Sequence, residues 1–157
     1  MIGDSGPQVC SRWPMPAYRH RPGQTPRPAE SPADAIAARA PAEFDPDQWQ
    51  ANVAYTYGFV LFENGFYWEA HEVWEAVWQS CQPNSRERQL LQALIQLANA
   101  ELKRCLTQPV AAARLLAMAD AHLAEAMDHR VSPGESERVI GVDIGALRRR
   151  IAAQLSD

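Results

Sequence analysis

From residue 45 onward, apolar positions recur every three to four residues, the spacing of one face of an α-helix, and no stretch alternates with the two-residue period of a strand. Asp45-Pro46-Asp47-Gln48 has the form of a helix start: Asp45 as N-cap, Pro46 in the first turn and Gln48 at the capping-box position. This helix is expected to run to about residue 63. Val53, Tyr57, Val60 and Leu61 line one side and Tyr55, Phe59 and Phe62 another, so most of its circumference should be buried. Gly58, grouped with Ala51 and Ala54, makes a flat patch that another helix could approach closely.

Asn64-Gly65 tolerates left-handed backbone and ends that helix. A second helix is predicted from Phe66 to the turn at Pro83. Phe66, Ala70, Val73, Trp74, Val77 and Cys81 fall on its apolar face, with Tyr67, His71 and Trp78 on the shoulder and Glu69, Glu72, Glu75 and Gln79 across the back. Asn84 is the expected N-cap of a third helix, with Glu87 three residues later. That helix points Leu91, Leu94, Ile95, Ala98, Leu102 and Cys105 inward and carries an opposite stripe of Gln92, Gln96, Asn99 and Lys103. A fourth helix follows from Pro109 to about Met127, with His122 at the margin of its apolar face. A polar connection over 128–141 leads to a last helix capped by Asp143, with Leu147, Ile151 and Leu155 as its seam.

Residues 1–43 are different: Pro7, Pro14, Pro16, Pro22, Pro26, Pro28, Pro32 and Pro41 exclude a sustained helix, and few large apolar side chains accompany them. The segment is expected to be a disordered, Pro/Arg-rich extension, with one short helix over 31–39. It reads as a solvated tail, as sequence upstream of an internal start at Met15, or as a basic arm for an acidic partner. The expected fold class is therefore all-α: a compact bundle of about five helices over 44–157, preceded by the extension over 1–43.

Composition narrows the function classes. A formal net charge of -4 argues against a general nucleic-acid binder. Arg148-Arg149-Arg150 fans around the last helix and reads as a solvated helix end. Cys10, Cys81 and Cys105 lack the spacing of a disulfide framework or a zinc knuckle, and Cys81 and Cys105 sit at apolar helical positions. No apolar run approaches the ~18 residues of a membrane span. The expectation is a soluble, cytoplasmic protein with no nucleic-acid or membrane partner and no implied cofactor. No phosphate loop, nucleophile elbow or catalytic triad order is present.

Chemistry concentrates in the second helix. His71 and Glu75 are four apart and therefore neighbours on the helix surface. His71-Glu72-Val73-Trp74-Glu75 resembles H-E-x-x-H with the second His replaced by Glu. In a zinc hydrolase, the i, i+4 residues bind metal and the intervening Glu acts as base. Here no downstream motif provides a third ligand. The plainer reading is a half-buried imidazole held by Glu75 among tryptophans.

Glu69-x-His71-Glu72-x-x-Glu75-x-x-Trp78 after Asn64-Gly65, followed by Leu91-Gln92-Ala93-Leu94-Ile95-Gln96-Leu97-Ala98, resembles the domain of unknown function 309 family. The likeness spans about residues 49–155, including Gly141-Val142-Asp143. It implies a small all-helical bundle without an established activity. Two positions depart from the family pattern: Ala93, usually Gly, and Leu102, near where some members carry a His.

The leading expectation is a helical module that binds a small polar ligand or a partner segment through Tyr67, His71, Glu72, Glu75, Trp78, Gln92 and Gln96. The alternatives are a metal-dependent hydrolase, with His71 and Glu75 as ligands and Glu72 as general base, and a purely structural cluster whose acids are satisfied by Arg88 or Arg114.

Overall fold

The computed structural model describes residues 13–127 and 137–157. Its helices are α1 (Pro32–Ala38), a 3-10 segment (Pro46–Ala51), α2 (Val53–Glu63), α3 (Tyr67–Ser80), α4 (Arg86–Cys105), α5 (Pro109–Ala126) and α6 (Ile144–Ser156). Helix α3 packs against α1, α2 and α4, while α4 packs on α5 and α5 on α6. Among the described residues no helix is long and apolar enough to cross a membrane.

The single helix expected over 45–63 is two elements. Asp45 caps only the 3-10 segment, accepting from Asp47 N at 3.0 Å, and Gln48 leaves helical geometry (φ -116, ψ 27). Asn52 then takes an extended backbone and restarts the chain as N-cap of α2, its side chain accepting from Tyr55 N at 3.0 Å. Asn satisfies an orphan helix donor well, so it divides the run. A similar one-residue shift opens α4. Asn84 adopts left-handed backbone (φ 61), and Ser85 is the cap, its Oγ accepting from Arg88 N at 3.1 Å.

Gly58 behaves as expected. The indole of Trp74 lies over it, 2.0 Å from where a Cβ would stand, and the indole N–H donates to the Tyr55 carbonyl at 3.2 Å. Trp74, Tyr55 and Tyr57 are at most 1% exposed and form the middle of the core.

Where no strand period was evident, Arg138–Val139 and Val142–Asp143 form a two-stranded antiparallel hairpin, β1 and β2. Two residues per strand are too few to show a period. Ile140 and Gly141 take positive φ at its turn, and a Cβ at Gly141 would stand 2.5 Å from the Trp49 ring. Tyr55 O–H donates to the Ile140 carbonyl at 2.8 Å and pins the turn to α2.

The expected disordered extension is, from Trp13 onward, a strap laid along the bundle. The prolines do exclude a long helix, and α1 is its one helical piece, capped by Ser31. What holds the strap is side chains and backbone groups that meet polar groups of the bundle. Trp13 stacks on Tyr57 with ring centroids 5.5 Å apart, and Tyr57 O–H donates to the Pro14 carbonyl. Arg19 donates twice to the Asn64 carbonyl, at 2.9 and 2.8 Å, closing the C-terminus of α2. Ala33 and Phe44 enter the core.

Three smaller expectations change. Cys105 is exposed, and Leu155 is 44% exposed, so the α6 seam is carried by Ile144, Leu147 and Ile151. Arg148 is not a free helix end, because its guanidinium reaches Asp120 of α5 at 2.9 and 3.3 Å.

Candidate functional site

Helix α3 begins where Gly65 (φ 82) reverses the chain, and ends where the Arg88 guanidinium donates to the carbonyls of Trp78 and Cys81 at 3.3 and 3.0 Å. Fourteen residues without Pro or Gly lie between. They bury Ala70, Val73, Trp74 and Val77 and turn the histidine and two of its acids toward the surface.

His71 stands between two carboxylates. Its Nδ1 is 3.8 Å from Glu72 Oε1 and its Nε2 is 3.5 Å from Glu75 Oε2, both at or beyond the limit of a good hydrogen bond. Nδ1 is buried and makes no hydrogen bond. One donor atom from each of His71, Glu72 and Glu75 lies within 4.8 Å of the others. The His71 side chain is 18% exposed, Glu72 30% and Glu75 45%, so the group opens to solvent through its acids. Trp68 forms the adjoining wall, edge-on to His71 at 5.6 Å and to His20 of the strap at 4.9 Å. Arg27 of the strap is the nearest cation, 3.8 Å from Glu72 Oε2. Neither Arg88 nor Arg114 reaches these acids: Arg88 is spent on the end of α3 and on the Trp78 ring, 4.2 Å from its centroid.

Of the seven residues expected to share a site, the structure brings three together: His71, Glu72 and Glu75. Tyr67 lies on the same shoulder but packs edge-on to Phe62 at 5.2 Å and lines a separate cleft toward α4 and α6. Trp78 is engaged by Arg88. Gln92 and Gln96 are half-buried on α4, and no hydrogen bond links them to the cluster.

Sequence reasoning missed Glu69. Expected on the solvated back of the helix, it is 3% exposed. Its Oε1 accepts from the backbone N–H of His20 at 2.8 Å, while Oε2 is buried without a partner. Burial pushes its carboxyl above the ordinary range, partly offset by that hydrogen bond. The available signal was spacing, since Glu69 precedes Val73 and Val77 by four and eight residues and so shares their buried stripe. A pocket with room for about one water lies beside it, bounded by Arg27, Ser31, Asp34, Trp68 and Glu72.

The remaining histidine of the fourth helix is structural. His122 Nδ1 meets Gln89 Oε1 at 2.9 Å, joining α5 to α4, and burial pushes its pKa down. His129 lies outside the described residues. The Cys81 thiol, bonded to the Val77 carbonyl, is raised by burial to about 12, which leaves it a poor nucleophile.

The described residues thus define an all-α bundle bearing a half-buried imidazole–carboxylate cluster on α3. Residues 55–115, from α2 into α5, match the family described as Domain of unknown function (DUF309), which supports the assignment that the two motifs of α3 and α4 pointed to. The match is narrower than the span of about residues 49–155 expected from sequence. No curated protein and no solved structure matches the chain.

Proposed function

We propose that this chain is a helical binding module whose His71–Glu72–Glu75 face accepts a positively charged group, carried by a small polar ligand or by a partner segment. The observation that carries this reading is the convergence of three acceptor-capable atoms within 4.8 Å beside an imidazole Nδ1 that has no partner. Two carboxylates near one another repel unless a cation lies between them. Arg27 answers only Glu72, at 3.8 Å and with a side chain 61% exposed, and no Arg or Lys among the described residues pairs with Glu75. An ammonium or guanidinium group brings a positive charge together with several N–H donors for the two carboxylates. Trp68 offers an aromatic wall for such a cation.

The test is a titration with guanidinium and alkylammonium probes, followed at the His71 ring by NMR. Saturable shifts that vanish in Glu75→Gln support the reading, and their absence in folded protein overturns it.

A second reading, a metal-dependent hydrolase, is favoured by the same three atoms, a nitrogen and two carboxylate oxygens suited to a divalent ion. Against it stands the ligand arithmetic. If Glu72 completes the ligand set with His71 and Glu75, it is no longer available as base, and no fourth His, Cys, Asp or Glu joins them among the described residues. Elemental analysis of protein purified without chelators separates the readings. A stoichiometric ion lost in both His71→Ala and Glu75→Ala would establish the metal centre.

A further inference from the structure

The cleft that takes Tyr67 away from His71 has a chemistry of its own. It lies between α2, α3, α4 and α6 and encloses about 430 Å³, within the range of about 300–1,000 Å³ common for small-ligand sites. Its floor is Trp74 and Leu94, 1% and 2% exposed. Phe59 and Phe62 wall it, each packed on Trp74 with centroids 5.0 and 5.9 Å away. A second hollow of about 220 Å³ shares Phe62, Tyr67, Leu97, Leu147 and Arg150 with the first, so the two are one cleft.

Three charged side chains stand around the apolar space: Glu63, Asp143 and Arg150. Glu63 and Arg150 form no ion pair with any described residue. Asp143 uses Oδ1 to cap α6, accepting from Ala146 N at 2.9 Å, and keeps its other oxygen. In the second hollow Glu101 and Arg104 answer each other at 3.1 Å, whereas Gln154 Oε1 is buried without a partner. Tyr67 also lines both hollows, and its hydroxyl makes no hydrogen bond to a described residue.

A hydrocarbon would fill the aromatic space and leave Glu63, Asp143 and Arg150 without counter-charges. A simple anion would meet two carboxylates, and a simple cation would meet Arg150. A zwitterion with a bulky apolar body matches all three charges. We propose that this cleft binds a free α-amino acid with a large apolar side chain. The side chain lies against Phe59, Phe62 and Trp74, the carboxylate faces Arg150, and the ammonium faces Glu63 and Asp143. His71, Glu72 and Glu75 do not line the cleft, so the assignment is independent of the cation-accepting face.

Calorimetric titration of the full chain with L-phenylalanine, phenethylamine and 3-phenylpropanoate tests it. L-Phenylalanine is expected to bind about tenfold or more tighter than either singly charged analogue. All three ligands are titrated in a Glu75→Gln background, which silences the cation-accepting face; there Arg150→Gln should remove the advantage over phenethylamine, and Ala146→Phe should block the cleft to all three. Far-UV circular dichroism confirms that each variant is folded. The proposal is overturned if no probe gives saturable heat at millimolar concentration. It is equally overturned if the analogues match the amino acid, or if a folded Ala146→Phe protein binds as before.

Discussion

At Gly58 the α2 backbone carries no side chain, and the Trp74 indole fills the place where a Cβ would lie, 2.0 Å from its Nε1. Gly58→Ala must therefore push the indole off its bond to the Tyr55 carbonyl. Overpacking of this kind costs about 1–3 kcal/mol, and the loss should appear in urea unfolding as a lower midpoint at unchanged slope.

Glu69 poses the opposite problem, a charge with too few partners. Its raised pKa means that the folded state holds the proton more tightly than the unfolded chain does. The stability this group contributes is thus present below its unfolded value and lost as pH rises through its folded one. Glu69→Gln keeps an acceptor for the His20 N–H and removes the charge. The variant should melt no lower than the parent at neutral pH, and its relative advantage should shrink as the pH falls through the carboxyl range. A markedly lower melting temperature at neutral pH would mean that the charge is compensated, for which Arg21 is placed.

At this scale the sequence was legible wherever one residue has one strong preference: Gly58 for close approach, Gly65 for left-handed backbone, Asp143 for a cap. It was not legible at Glu69, because a carboxylate on a helix is ordinarily solvated and only the strap, far away in sequence, buries this one.

Among the elements, α2 to α6 follow from period and breakers, with boundaries displaced where a better cap stood nearby, as at Asn52 and Ser85. The strap did not follow. Its contacts run from Pro14 to Tyr57 and from His20 to Glu69, separations that no local pattern encodes. Tyr57 O–H is the clearest anchor, and burial raises its pKa to about 12. Tyr57→Phe keeps the ring stacked on Trp13 but deletes the bond to Pro14, at a cost of about 0.5–1.5 kcal/mol. Tryptic cleavage after Arg19, read by mass spectrometry, should accelerate in this variant while cleavage within α4 should not. Equal acceleration everywhere would mean that the bond stabilises the bundle as a whole rather than the strap. The α5–α6 tie through Arg148 and Asp120 is a surface pair, each side chain more than a third exposed. Asp120→Ala should cost at most about 1 kcal/mol, and less in high salt.

Over the whole molecule, two differently built regions share α3. The cluster of His71, Glu72 and Glu75 was visible in sequence, because the i, i+4 pair His71–Glu75 and the i, i+3 pair Glu72–Glu75 are neighbours on a helix surface. The second region, gathering Tyr67 with Leu147, Arg150 and Gln154, was not, since it depends on where α6 returns. Trp78 was grouped with the histidine because both fall on one shoulder of the helix, and Gln92 and Gln96 through the second motif; tertiary packing gives Trp78 to Arg88 instead.

The segment that matches the family, 55–115, ends before the hairpin and α6 and begins after Phe44 and Trp49. Expressed alone, it would keep both recognisable motifs yet shed the carbonyl that receives the Tyr55 hydroxyl, the backbone amide that meets Glu69, and the guanidinium that seals Asn64. Such a fragment should show loosened near-ultraviolet signals and bind hydrophobic dyes. That outcome would mean that, for this chain, the boundaries of shared ancestry and of autonomous folding do not coincide.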